Sequence, residues 1–213
     1  MRDSIKERAT LTRKHDFDAL PKSQEIEVRP ARHCELPALA EMANRLVPGV
    51  HITEPDLERY FGFDPTSILT FGQKGRLLGA VAFLYLNWRG HDALIFDEID
   101  LTHPDVGLLA GPSDEASAIY VWAIAGQGRA MAGLGNVSTH LSSPRLKAAD
   151  LFAAPSSADG RNLTIALGFE PTPSYQQELW RYQRLWNRFP SLLPAPIVSS
   201  RTVPARSFAD ARH

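Results

Sequence analysis

The chain has 213 residues, 44% of them hydrophobic and 22% charged, and a formal net charge of −1 at pH 7. That balance is ordinary for a globular protein with room for a sizeable core, as one large domain or two small ones. No apolar run approaches the roughly 20 residues of a membrane span, and one cysteine excludes an internal disulfide.

The near-neutral total hides a split. Residues 25–180 hold eleven basic and nineteen acidic side chains, a net of −8, whereas residues 181–213 hold six arginines and one acid, a net of +5. From Phe189 onward this basic stretch carries Pro190, Pro194, Pro196 and Pro204 with no apolar period, the composition of an extended tail. It lacks interleaved aromatics and a dense Lys/Arg block, so it does not read as a nucleic-acid-binding segment. The first 24 residues are polar and mixed in charge, unlike a signal peptide, and imply a cytoplasmic protein. The expected organisation is an N-terminal arm (1–24), one domain (25–182) and a basic C-terminal tail (183–213). Clustered Trp186, Phe189, Leu192 and Leu193 in that tail leave open packing on the domain or on a second subunit of a homodimer. Cys34, with no His/Cys cluster around it, gives no metal-site spacing and reads as a buried or half-buried bystander.

"IEVRPA" (26–31) reads as an opening strand ended by Pro30, and "CELPALAEMANRLV" repeats Leu36, Leu39, Ala43, Leu46 and Val47 at helical spacing. Thr53 before Pro55 and Asp56 marks a capped helix start, so "EPDLERYFG" is expected to be a short helix buried through Leu57, Tyr60 and Phe61. "SILTF" and "LLGAVAFLYL", separated by "GQKGR", predict a hairpin. From Asn87 to Ser117 the pattern is irregular, but residues 97–115 hold six acids and no Lys or Arg. Such a segment is either a solvated loop or an acidic mouth that concentrates a cationic ligand.

"SAIYVWAIA" (117–125) is a β-branched and aromatic strand, and "QGRAMAGLGNVSTHL" continues with Ala130, Leu134, Val137 and Leu141 at helical spacing. Gly128, Gly133 and Gly135 each cost a helix interior about 1 kcal/mol relative to Ala, so a packing or a binding reason must offset them. A glycine-rich helix start lets an anion approach backbone N–H groups at the positive end of the dipole. Tight helix packing explains small residues equally well. A dinucleotide or NTP site is disfavoured by spacing, since neither G-x-G-x-x-G nor G-K-[ST] occurs.

After "DLFAAP" (150–155), a further expected strand, "GRNLTIALGFEPTPSYQQELWRY" gives a short helix, the trio Leu167-Gly168-Phe169 and a last strand. Here the chain resembles the GCN5-related N-acetyltransferases, the GNAT superfamily, over about residues 25–182. The resemblance rests on the order of elements, on "IEVRPARHCELPALAEM", on a strand entering a Gln/Arg-x-x-Gly-x-Gly/Ala pyrophosphate loop, and on "LGF". Gln127, Ala130 and Ala132 fit the loop, with Ala in the first Gly position. A second register on Arg129, Ala132 and Leu134 fits slightly worse at its end.

The resemblance implies a mixed α+β fold, a central twisted mixed sheet flanked by helices. It also implies acetyl-CoA, or another acyl-CoA, as co-substrate and no metal. The pyrophosphate would lie on the amides of Gln127, Gly128, Arg129, Ala130, Met131 and Ala132, with an oxyanion-binding N–H near Ile124 or Ala125. A small cationic amine or a peptide amine would be the acceptor, and Glu98 or Glu115 would take its proton. Where many members place a Tyr as acid to the leaving thiolate this chain has Thr164, which cannot deliver a proton at neutral pH, and Tyr120 is the substitute. His103 and His140 are further candidates for proton shuttling. The loss of that Tyr equally fits a non-catalytic CoA-binding module.

Overall fold

A computed structural model describes residues 17–47, 51–126 and 128–184. The described residues form seven strands and five α-helices: β1 (Glu27–Pro30), α1 (Leu36–Leu46), α2 (Glu54–Phe63), β2 (Ile68–Gln73), β3 (Arg76–Leu86), α3 (Trp88–Ile95), β4 (Ala118–Gly126), α4 (Leu134–Leu141), β5 (Asp150–Ala153), α5 (Ala158–Ala166), β6 (Glu170–Pro171) and β7 (Trp180–Tyr182). They make one mixed sheet in the order β1-β2-β3-β4-β5-β7-β6, antiparallel throughout except for the β4–β5 pair. This is the mixed α+β architecture, and the element order, that the GNAT resemblance implies. The arm to residue 16, the tail from 185 and Gln127 lie outside the described residues.

Alternation along β3 divides the core into layers. Val81, Phe83 and Tyr85 face α4 and the "LGF" segment, while Ala80 and Ala82 face α1 and α2, and Leu84 and Leu86 face α3. Helix α1 buries Leu36, Leu39, Ala40 and Ala43. Its entry is fixed by Glu35, whose carboxylate takes two bonds from the Arg29 guanidinium, at 2.9 and 2.6 Å, and one from the Arg32 N–H. The Arg29 bond chiefly holds Glu35 down at about 2, well below an ordinary glutamate. A depressed carboxylate stabilises the fold above its unfolded value near 4.5 and loses that contribution as pH falls toward 2. Glu35→Gln is therefore expected to destabilise the protein at pH 7 and to match the wild type near pH 2, as urea melts at the two pH values will show.

Helix α2 carries the expected capping box: Asp56 N–H bonds Thr53 Oγ1 and the Asp56 carboxylate accepts from Thr53 N–H at 2.8 Å. Helix α3 is an element that the irregular pattern of 87–117 does not announce. It is only eight residues long, too short to establish a period, and depends on Asn87, which accepts from Gly90 N–H and donates to the Gly107 and Leu109 carbonyls.

Two expectations change. Cys34 is exposed, because it sits in the 3-10 turn (His33–Glu35) before α1 begins its buried stripe. Residues 17–26, mostly in the expected arm, lie on the domain. Phe17 is buried against Tyr182, with ring centroids 5.8 Å apart, and Asp18 pairs with Arg184. Asn136 bonds Ser23 and the Ile26 carbonyl. A Cβ at Gly135 would collide with the Pro21 carbonyl, and one at Gly133 would meet Phe71 and Ile26 at 3.0–3.1 Å. Both glycines admit protein rather than ligand.

Candidate functional site

Strands β4 and β5 pair in parallel over three residues only, Ala118–Tyr120 with Asp150–Phe152. Two local features end the pairing. On the β3 side, Ala82 faces Ala123 while Phe83 faces Val121, so Trp122 is an extra residue, and such a bulge bends its strand. On the β5 side the chain reaches Pro155, which has no N–H to give a ladder. Beyond Tyr120, β4 therefore runs on through Val121–Gly126 with its β5-side edge unpaired.

A cavity of about 390 Å³ fills this gap. Its lining comes from β4 (Val121, Trp122, Ala123, Ile124, Gly126), from Ala153–Ser157, from α5 (Asp159, Gly160, Leu163, Thr164), and from Met131, Leu134 and Val137. Leu46 and Val47 at the end of α1 also line it. Helices α1 and α4 lie on opposite faces of the sheet, so the cavity passes through the sheet from one helical layer to the other.

One end is bounded by the turn from β4 into α4. Gly128 has φ +57°, a left-handed conformation that suits glycine, and residues Gly128–Gly133 form a 3-10 helix ahead of α4. Gly128, Arg129 and Ala132 are exposed, Met131 lines the cavity, and Ile124 lines it from the strand. Ala125 and Ala130 are buried, and Ala130 packs within 3.2 Å of the position a Gly126 Cβ would take. The Ala130 side chain thus faces the core rather than the turn's outer surface, a direction that loop spacing does not reveal.

Thr164 is buried and lines the cavity, but its hydroxyl donates to the Gly160 carbonyl at 2.8 Å. A threonine has one hydroxyl proton, so its oxygen can only accept from a guest. Thr164→Val is expected to leave ligand affinity within about twofold while costing roughly 1 kcal/mol of stability, read by calorimetry and thermal unfolding.

Tyr120 is buried among Tyr60, Trp122 and Phe152. Burial pushes it up to about 12, so it stays protonated at neutral pH with its own O–H left to donate. Tyr120 itself does not line the cavity, although its strand neighbours Val121 and Trp122 do, so this phenol lies just behind the cavity wall.

Glu98 and Glu115 are exposed and neither lines the cavity. The acidic segment is tied to the far end of the strands, through Ser117 N–H on the Leu86 carbonyl and Ala116 N–H on that of Arg145. Ala118 and Ile124 are roughly 20 Å apart along β4. Asp100, Asp105 and Asp114 accept from Thr102, Gly107 and Gly111 N–H groups respectively, building turns. His103 lies 3.5 Å from Asp56 on α2, and His140, lowered chiefly by burial, lies 3.4 Å from the Tyr85 hydroxyl. The contributions of Trp122, Leu46 and Val47 escape a sequence reading, although the Trp in "YVWAIA" was the visible sign of a bulky residue in an otherwise aliphatic strand.

Among the described residues no helix is long and apolar enough to cross a membrane, and no group of three His, Cys, Asp or Glu side chains is placed to hold a metal ion. No protein-family model matches the chain, and no curated protein sequence matches it. Among solved structures, the chain is similar to the GphF GNAT-like decarboxylase in complex with isobutyryl-CoA, at 17% identity and a TM-score of 0.43, over 60% of this chain and 64% of that one. It is also similar to the loading GNATL domain of CurA from Lyngbya majuscula, at 13% identity and a TM-score of 0.45, over 61% and 64%. A third is a GNAT family acetyltransferase from Brucella melitensis in complex with acetyl-CoA, at 11% identity and a TM-score of 0.43, over 76% and 89%. The match spans under two thirds of the length of the first two.

Proposed function

We propose that the protein is an acyl-CoA-dependent N-acyltransferase that acylates the primary amine of a small cationic molecule or peptide. The observation that carries this reading is the opening between β4 and β5, which runs through the sheet with an unpaired strand edge along one wall. Free N–H and C=O groups on Val121–Gly126 suit the two amides of a pantetheine arm, which would extend the ladder as a further strand does. The turn Gly128–Gly133, with exposed Arg129, would take the pyrophosphate.

In this arrangement the thioester lies beside the Trp122 bulge and the amine enters from the side of Leu46 and Val47. The amine nitrogen attacks the thioester carbonyl carbon, the oxyanion is met by the N–H of Ile124 or Ala125, and the C–S bond breaks. The Tyr120 O–H donates a hydrogen bond to the departing thiolate. With its acidity so low, it stabilises that sulfur more than it protonates it. The amine's proton passes to water; Glu98 and Glu115 do not line the cavity, so neither is assigned as the base.

A second reading, a CoA-binding module without catalysis, is favoured by one observation. Among the described residues, the only carboxylate lining the cavity is the exposed Asp159. Calorimetry with acetyl-CoA, beside mass-spectrometric screening of polyamines, amino acids and peptides as acceptors, separates the two. Binding with acylation of any amine supports the enzyme; binding with none supports the module. No binding of any CoA ester removes both.

A further inference from the structure

On the α1 side the opening is lined by Leu46, Val47 and Trp122, all three half-buried and within reach of a guest. Trp122 is the extra residue of the β4 bulge. Its indole meets Tyr60 of α2 edge-to-face, with ring centroids 5.1 Å apart and planes at 78°. Tyr60 is itself buried and donates to the Thr102 carbonyl at 3.3 Å, so the indole rests on a fixed support. Among the described residues the only charged side chain lining the opening is Asp159. It belongs to α5, which packs through Leu163 and Leu167 into the layer on the α4 face. Asp56 and Asp100, whose charges reach Tyr60, do not line the opening. Asp56 is held by Thr53 and faces His103, and Asp100 accepts from the Thr102 and His103 N–H groups. The side from which the amine enters is therefore apolar and aromatic.

Resting on the acyl-CoA reading above, we infer that the acceptor is a monoamine whose nitrogen is carried on an aromatic or aliphatic body seated against Trp122, and that Trp122 selects it over a polyamine. An ammonium entering a site without a counter-charge loses hydration that nothing there returns, and each further charge of a polyamine repeats the loss. An aromatic face offsets part of it for one cation. An apolar body gains instead, by about two- to fourfold in affinity for each methylene removed from water. The same group can be presented by a free amine or by the N-terminal residue of a peptide.

The test is calorimetry on the full chain saturated with free CoA, which permits no turnover, using ethylamine, hexylamine, phenethylamine, putrescine, spermidine and phenylalanyl-glycine amide. Phenethylamine and hexylamine are expected to bind about tenfold or more tighter than ethylamine, and putrescine and spermidine no tighter than ethylamine. Raising salt from 0.05 to 0.5 M should leave phenethylamine affinity unchanged, as a surface carboxylate site would not. Trp122→Ala is expected to bring phenethylamine and ethylamine level, and Trp122→Phe to keep most of the difference; a merely structural role for the indole would weaken both amines alike. Tighter binding of the dipeptide amide than of phenethylamine supports the inference and assigns the group to a peptide N-terminus. Spermidine or putrescine binding more tightly than phenethylamine would overturn it and leave the acyltransferase reading standing. Binding of CoA with no amine of the set would overturn it in favour of the non-catalytic module. Failure of CoA itself to bind would remove the acyl-CoA reading and this inference with it. Should Trp122→Ala fail to fold, Trp122→Phe and the wild-type series decide.

Discussion

Arg129→Glu is expected to weaken CoA binding by ten- to a hundredfold, about 1.4–2.8 kcal/mol, without changing the stability of the free protein by more than about 0.5 kcal/mol. Arg129 is exposed in the Gly128–Gly133 turn, so reversing its charge moves two charge units against a pyrophosphate there and disturbs no core contact. The penalty should shrink as salt is raised from 0.05 to 0.5 M, since surface electrostatics are screened. Arg129→Gln should lose roughly half the free energy. Calorimetry and thermal unfolding read both quantities, and unchanged affinity in Arg129→Glu would put the pyrophosphate elsewhere. Ala130→Glu is the poorer probe, because Ala130 is buried and a carboxylate there would damage the core before it met a ligand.

Arg145→Ala is expected to destabilise the fold by about 3–5 kcal/mol, the cost of breaking a buried ion pair from one side. Arg145 lies over the Tyr85 ring at 5.1 Å and bonds the Asp64 carboxylate at 2.7 Å. It also donates to the Asp114 and Gly111 carbonyls. Asp64 is almost wholly buried and caps the turn at Pro65–Ser67 through Thr66. Removing the guanidinium leaves a carboxylate and two carbonyls without their donor. Arg145→Lys should recover only part, since a single ammonium cannot reproduce the planar fork. Adding Asp64→Asn to Arg145→Ala should recover more than additivity allows, because the uncompensated charge is gone. Chemical denaturation of the wild type, Arg145→Ala, Arg145→Lys, Asp64→Asn and the double variant measures these differences. A loss under about 1 kcal/mol in Arg145→Ala would mean that the pair is solvated.

The same network reaches the acidic segment, through the Asp114 and Gly111 carbonyls. Six acids without a base read as a mouth for a cationic ligand or as a solvated loop. In the folded chain Asp100, Asp105 and Asp114 cap backbone N–H groups of their own turns. A count of charges does not say which donors lie two or three residues away in space, so composition leaves the two readings level.

The periodic elements needed only the sequence. Thr53 with Asp56, the apolar repeat of α1, the β2–β3 hairpin and the "YVWAIA" strand rest on local rules: capping, the 3.6-residue helix repeat, the two-residue strand repeat and turn chemistry. Those forces act within about ten residues and are written in order along the chain. What only the tertiary structure decided depends on contacts between distant segments. Gly133 and Gly135 admit Phe71, Ile26 and Pro21. Phe17 closes on Tyr182, and the Thr164 hydroxyl donates its hydrogen bond to the Gly160 carbonyl. The opening between β4 and β5 joins one local cause, the proline after β5, to two that no local rule supplies: a bulge set by register with β3, and helices α1 and α4 on opposite faces. A residue's type shows what chemistry it can do, but the fold alone chooses the neighbour on which that chemistry is spent.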